Sequence, residues 1–428
     1  MRLANKAKPQ PIQWNPKVIS VSLNQNSSCV STGSQRGFRV CQLSPFRRHT
    51  FAMKGGIGIC EMLGESSLVA IVGGGDSPAF SSRRLRVFNT STSTIICEMN
   101  FDFPVIAVRL NHRFLIVVLA TQVHIFNIDT MKITQRLDTP NNPRGLCSLQ
   151  NICTQSSNSI LLCFPGAVEK GDVFIFNVAA QKAVTVVEAH QSPIQTLVLS
   201  SNAQYLATGS TKGTLIRVFD LKQGNKKVAT FRRGVTTSVC TTMRFNSNAS
   251  LLCVGSKNGT VHVFDVNAVL DPTHSVSIVS KASSASLSTT SSAKAVASSL
   301  LNGLIESLPT AISSHRSVCS VSIEPGVAFI CGFLPTTAQP TVGSAGKGHS
   351  STKTTKTTNG DGEEMKNLDE LLNVNEGQKE QDALVVVTSL GIVSIHSMNF
   401  TDGTTKLEQQ EFLVENESQQ IKKSPITK

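Results

Sequence analysis

The stretch Phe231-Arg232-Arg233-Gly234 closes one repeating unit of the chain just before the next begins. Extended backbone sends successive side chains to opposite sides, so on a strand Arg232 and Arg233 would serve two pockets rather than one. A small-polar stretch lies on each side in sequence: Thr208-Gly209-Ser210-Thr211-Lys212-Gly213-Thr214 before it, and Gly255-Ser256-Lys257-Asn258-Gly259-Thr260 after it. Such cups offer hydroxyls and main-chain N–H groups, and a guanidinium adds a planar fork of donors that suits phosphate. The chemistry to expect is capture of anionic headgroups at a pair of sites. Arg217 and His190 extend the first cup, and His262 extends the second. If the histidines touch phosphate, binding should strengthen as pH falls toward about 6. Each residue also has a plainer use. Adjacent arginines can form a solvated basic edge, a blade histidine can tie strands together, and Ser210 and Ser256 can be small because strands pack closely.

The elements that would hold these residues repeat. A short apolar strand, a Ser/Asn-rich turn, a second apolar strand ending in small residues, Gly, and a third strand recur over Val18–Leu43, Ile194–Leu221 and Val239–Val266. The Gly-Ser pair marks the phase at Gly33, Gly209 and Gly255, at intervals that fit whole multiples of the roughly 40–45-residue period of WD-type blades. Further units fit around Ile57–Met99, Val105–Leu137 and Leu146–Glu188, and the strands from Ser317 to Leu413 complete the set. The expected fold is all-β, a seven-bladed WD40-like propeller with long flexible insertions in blades six and seven. Its expected limits are 17–414, between tails at 1–16 and 415–428.

The blade-six insertion, 266–315, is rich in Ser, Ala and Thr, and the blade-seven insertion, 335–382, is polar, with a basic stretch followed by an acidic one. Low hydrophobicity predicts flexibility for most of both. Within the first, Ala295–Leu308 reads as an amphipathic helix ended by Pro309. Val296, Leu300, Leu301, Leu304, Ile305 and Leu308 fall on one half, and Ser298, Ser299, Asn302 and Glu306 on the other. It could dock on the propeller, or insert into a membrane interface as a loop held near the second cup.

Catalysis is a poor fit. There is no G-x-S-x-G elbow, Walker loop or H-E-x-x-H motif, and Gly73-Gly74-Gly75 lacks a following Lys-Ser/Thr and reads as a blade turn. Neither a metal nor another cofactor is expected. The formal net charge of +12 calls for an acidic partner. With one Trp and one Tyr, no aromatic platform for single strands is present, which disfavours nucleic acid. Eleven cysteines without a C-x-x-C pair read as reduced thiols in buried strands of a cytoplasmic protein. The N-terminus lacks the apolar core of a signal peptide, so membrane contact should be peripheral.

Phe231-Arg232-Arg233-Gly234 in this setting resembles the F/L-R-R-G signature of the PROPPIN family, whose animal members are the WIPI proteins. Further matches are Gly37-Phe38-Arg39-Val40 with Pro45-Phe46, Asn142-Pro143-Arg144-Gly145-Leu146-Cys147, Lys212 to Phe219, and Thr260-Val261-His262-Val263-Phe264. The resemblance implies a monomeric seven-bladed propeller that binds phosphatidylinositol 3-phosphate and phosphatidylinositol 3,5-bisphosphate and recruits autophagy proteins of the lipid-transfer or conjugation machinery. It implies a place on pre-autophagosomal, endosomal or vacuolar membranes. Carried over by position, the first site would use His190, Thr208, Ser210, Gly213, Thr214, Arg217 and Arg232. The second would use Arg233, Gly234, Ser256, Thr260 and His262. The blade-six loop corresponds to the family's membrane-inserting loop, here with aliphatic anchors only. The competing expectation is a soluble WD-repeat scaffold that docks proteins and does not distinguish lipids.

Overall fold

A computed structural model describes residues 18–150, 159–270, 315–334 and 382–413. Each unit of the repeat becomes one four-stranded antiparallel sheet, and there are seven, with strands in chain order within every sheet. The blades span 18–52, 57–100, 107–138, 148–190, 194–232, 240–322 and 329–412. First strands of successive blades touch around the ring, and the strand Phe329–Leu334 of blade seven meets Val18–Leu23 of blade one. Between them lies a central cavity of about 500 Å³ lined by Glu61, Arg109, Arg144 and Arg244, among others.

Burial peaks in the second strands and falls toward the outer ones. Second strands such as Phe114–Val118 are buried at every position, because they are sandwiched between neighbouring blades and read as continuous apolar runs. Outer strands such as Phe46–Ala52 alternate weakly and stay mostly exposed. The third strands of blades two to five share an apolar-Phe-Asn/Asp ending, seen at Phe88-Asn89, Phe126-Asn127, Phe176-Asn177 and Phe219-Asp220. In each case the Asn or Asp oxygen accepts main-chain N–H groups two and three residues on, as Asn89 does from Ser91 and Thr92 and Asp220 from Lys222 and Gln223. A short side chain thus folds the turn into the outer strand. The outer strand then slips by one residue just before the Phe, at Val87/Phe88, Ile125/Phe126, Ile175/Phe176 and Val218/Phe219. Such a bulge sharpens the twist.

No strand is exchanged across the closure, since the first blade is wholly N-terminal and the seventh wholly C-terminal. The ring is held there by a shared core of Leu23, Val30, Cys41 and Leu43 with Leu334, Val385, Val387 and Leu413. Arg48 Nη1 donates to the Phe412 carbonyl at 2.8 Å. From blade six, Arg244 reaches back to the Leu23 and Asn24 carbonyls of blade one.

Gly73 ends the second strand of blade two and Gly74-Gly75 open the turn that follows, with Gly74 packed against the backbone of Gly56 and Gly58. All ten described cysteines are unpaired, and all but Cys97 are buried. Among the described residues no helix is long and apolar enough to cross a membrane. The expected amphipathic helix Ala295–Leu308, all of the 335–382 insertion but its last residue, Asp382, and both tails lie outside the described residues.

Candidate functional site

Thr208, in the second strand of blade five, pairs with Arg217 in the third. Its fully buried hydroxyl lies 3.0 Å from His190 Nε2, and His190 ends the outer strand of blade four, so the contact joins two blades. The Thr208 hydroxyl also lies within donating distance of the Arg217 carbonyl, at 3.3 Å. Arg217 Nη1 donates to the Ala189 carbonyl at 2.6 Å, while its buried Nε has no acceptor. An unsatisfied buried donor is costly, and an arriving anion would relieve it. Burial first, and the Arg217 charge second, push the His190 imidazole down to about 4.

Arg233 is only 5% exposed. Its main-chain N–H bonds the Thr214 carbonyl at 2.9 Å, Nε donates to the Gly213 carbonyl at 2.8 Å, and Nη2 to the Thr236 carbonyl at 2.6 Å. The 211–214 turn of the first cup is therefore the platform on which the arginine of the second is seated. Gly213 makes this possible. Its φ is +61° and an added Cβ would collide with the Ser238 carbonyl, so both conformation and space require glycine. Burial, and then the Arg233 charge, lower the pKa of His262. His262 Nδ1 lies 3.3 Å from Ser317 Oγ.

Arg232 is half-buried at the end of its strand, and Arg233, just past that end, is buried. The Arg232 N–H donates to the His315 carbonyl at 2.8 Å, and the His315 N–H to the Thr230 carbonyl at 3.0 Å. The chain returning from the blade-six insertion is thus zipped along the outer edge of blade five. At the start of that insertion, the short helix Asn267–Leu270 places Val269 and Leu270 against the apolar core shared by blades five and six.

Two compact groups emerge among the expected residues. His190, Thr208 and Arg217 form one; Arg233 and His262 form the other, joined to the first through Gly213 and Thr214. Ser210 is buried and its carbonyl accepts the Gly213 N–H. The Ser256 hydroxyl is turned into its own turn, on Asn258 Oδ1 and the Thr260 carbonyl. Around Gly234 there is open space. Val296, Leu300, Leu301, Leu304, Ile305 and Leu308 lie outside the described residues. Thr236, His315 and Ser317 were not singled out in the sequence: the Thr236 contact is a main-chain one that residue type does not mark, and the contacts of His315 and Ser317 pair residues far apart in the chain.

Among the described residues Arg217 and Arg233 have no carboxylate partner and donate only to main-chain carbonyls, Arg217 at the junction of blades four and five and Arg233 at that of blades five and six. Anions suit this arrangement. Among the described residues no cluster of His, Cys, Asp and Glu could hold a metal.

The family model described as PROPPIN matches residues 18–299. Autophagy-related protein 18 of Dictyostelium discoideum is 31% identical over 323 residues, covering 75% of this chain and 85% of that protein. Autophagy-related protein 18 of Yarrowia lipolytica is 37% identical over 273 residues, covering 60% and 68%. Among solved structures, Kluyveromyces lactis Hsv2 superposes with a TM-score of 0.61 at 18% identity, covering 93% of this chain and 99% of that one. The complex of KlAtg21 with the coiled coil of AgAtg16 gives 0.62 at 20% identity, covering 93% and 100%. At such identities the structural likeness concerns the fold.

Proposed function

The chain belongs to the PROPPIN family, and from that membership we propose that it is a non-catalytic, phosphoinositide-binding effector of autophagy. It reads phosphatidylinositol 3-phosphate and phosphatidylinositol 3,5-bisphosphate on a membrane and recruits autophagy proteins there. The observation that carries this reading is the pair of uncompensated arginines, Arg217 and Arg233, each beside a half-buried histidine whose pKa its charge helps lower. The first headgroup site is built on His190, Thr208, Ser210, Gly213, Thr214, Arg217 and Arg232; the second on Arg233, Gly234, Ser256, Thr260 and His262. Two weak sites on one rigid rim reinforce each other through effective concentration, and the blade-six loop adds a membrane-inserting segment. The relatives' names support a role in autophagy, and the similar propeller captured with a coiled coil makes an elongated helical partner the first to try.

The two-site claim has a direct test. Calorimetric titration with water-soluble inositol 1,3-bisphosphate should give a stoichiometry near two, falling to one in Arg217→Ala. A single site in the wild type, or a stoichiometry unmoved by Arg217→Ala, would refute the assignment.

A further inference from the structure

Val235 is 83% exposed, more than any other large apolar side chain among the described residues. It occupies the loop between Arg233 and the first strand of blade six, a loop that is tethered at both ends. Before Val235, Arg233 is fixed to Gly213 and Thr214; after it, the Thr236 carbonyl is gripped by the same Arg233 guanidinium. The valine is thus held outward on an ordered tip.

An antiparallel meander alternates ends, so the turns between second and third strands open at the same end of the ring as the links between blades. The 211–214 turn, the 257–259 turn and the Val235 tip therefore share one end. Lys212 and Lys257 stand exposed on those two turns, and Arg232 is half-buried at the base of the loop. An apolar tip at the same end of the ring as these cations matches the boundary between anionic headgroups and acyl chains. We propose that Val235 is a membrane contact, a pre-ordered apolar tip pressed into an anionic leaflet between the two headgroup groups. The inference rests on the phosphoinositide reading and adds to it a lipid contact that does not use the blade-six loop. Because the tip is already ordered, little conformational entropy is lost when it docks.

The test separates the tip from the headgroup groups. On phosphatidylcholine vesicles carrying phosphatidylserine and phosphatidylinositol 3-phosphate, Val235→Asp should bind about tenfold more weakly, the effect of removing roughly one buried valine side chain. Its affinity for soluble inositol 1,3-bisphosphate should match that of the wild type, which also shows that it folds. In a Trp14→Phe background, Val235→Trp should shift its emission to the blue when those vesicles are added. Unchanged vesicle binding by Val235→Asp, a parallel loss of soluble headgroup, or an indole that does not shift would each overturn the proposal. A wild type that ignores inositol 1,3-bisphosphate while the indole still shifts on phosphatidylserine vesicles would overturn the headgroup reading and leave the tip contact supported.

Discussion

The guanidinium of Arg233 gives two donors to the Gly213 and Thr236 carbonyls and keeps the rest for a ligand. Arg233→Ala should therefore do more than remove a charge. It strands two carbonyls, and the expected loss is about 1–3 kcal/mol, read as a melting temperature lowered by on the order of 1–5 °C. A melting curve indistinguishable from wild type would show that the loop does not depend on this clamp. His190 makes a second prediction at this scale. Its folded pKa of about 4 lies below the roughly 6.5 of an unfolded histidine, so between those values the unfolded chain binds the extra proton. Stability is complete above about pH 6.5, falls as the pH drops toward about 4, and is flat below. Burial shifts His124, His262 and His396 the same way. Denaturant midpoints should fall between pH 7.5 and 5, less steeply in His190→Gln; equal slopes would contradict the assignment. The same value alters the binding expectation. Unliganded His190 is neutral at pH 6, so any gain in affinity from charging it comes only where a bound phosphate raises its pKa.

At the scale of the element, the 211–214 turn is the part on which both groups depend. Gly213→Ala must give up the left-handed conformation or displace Ser238. It should lower stability by about 1 kcal/mol or more and weaken headgroup binding at both groups, since Arg233 is seated on this turn and Thr214 and Arg217 follow it. Soluble headgroup titration with unaltered affinity would contradict that dependence. This dependence was only half legible in the sequence. The repeat phase at Gly33, Gly209 and Gly255 and the continuous apolar second strands made the propeller readable, because burial on both faces leaves a strong local pattern. Outer strands such as Phe46–Ala52 and Thr94–Asn100, exposed over most of their length, carry little such pattern. Residue types marked the two cups correctly as polar turns. That Arg233 would spend donors on the first cup, or that His315 would return to the edge of blade five, depends on long-range pairing that spacing does not encode.

For the whole molecule, a ring closed without an exchanged strand depends on contacts across the seam. Arg244 is the most central of them, bonded to the Leu23 and Asn24 carbonyls of blade one and near the Glu61–Arg109 ion pair, whose N–O distance is 3.1 Å. Arg244→Met should cost about 2–4 kcal/mol by stranding those carbonyls and should speed hydrogen exchange first in blades one and seven. Exchange that rises evenly around the ring would count against a weak seam.

The account as a whole rests on headgroup recognition rather than on bulk charge, which a net charge of +12 would otherwise explain. Vesicle co-sedimentation of the wild type and the Arg232→Ala/Arg233→Ala double variant, on phosphatidylinositol 3-phosphate and on its 4-phosphate isomer at equal charge, tests this most directly. The account predicts binding to the 3-phosphate alone, partly retained in either single variant and abolished in the double. Equal binding to both isomers, or full binding by the double variant, would contradict it.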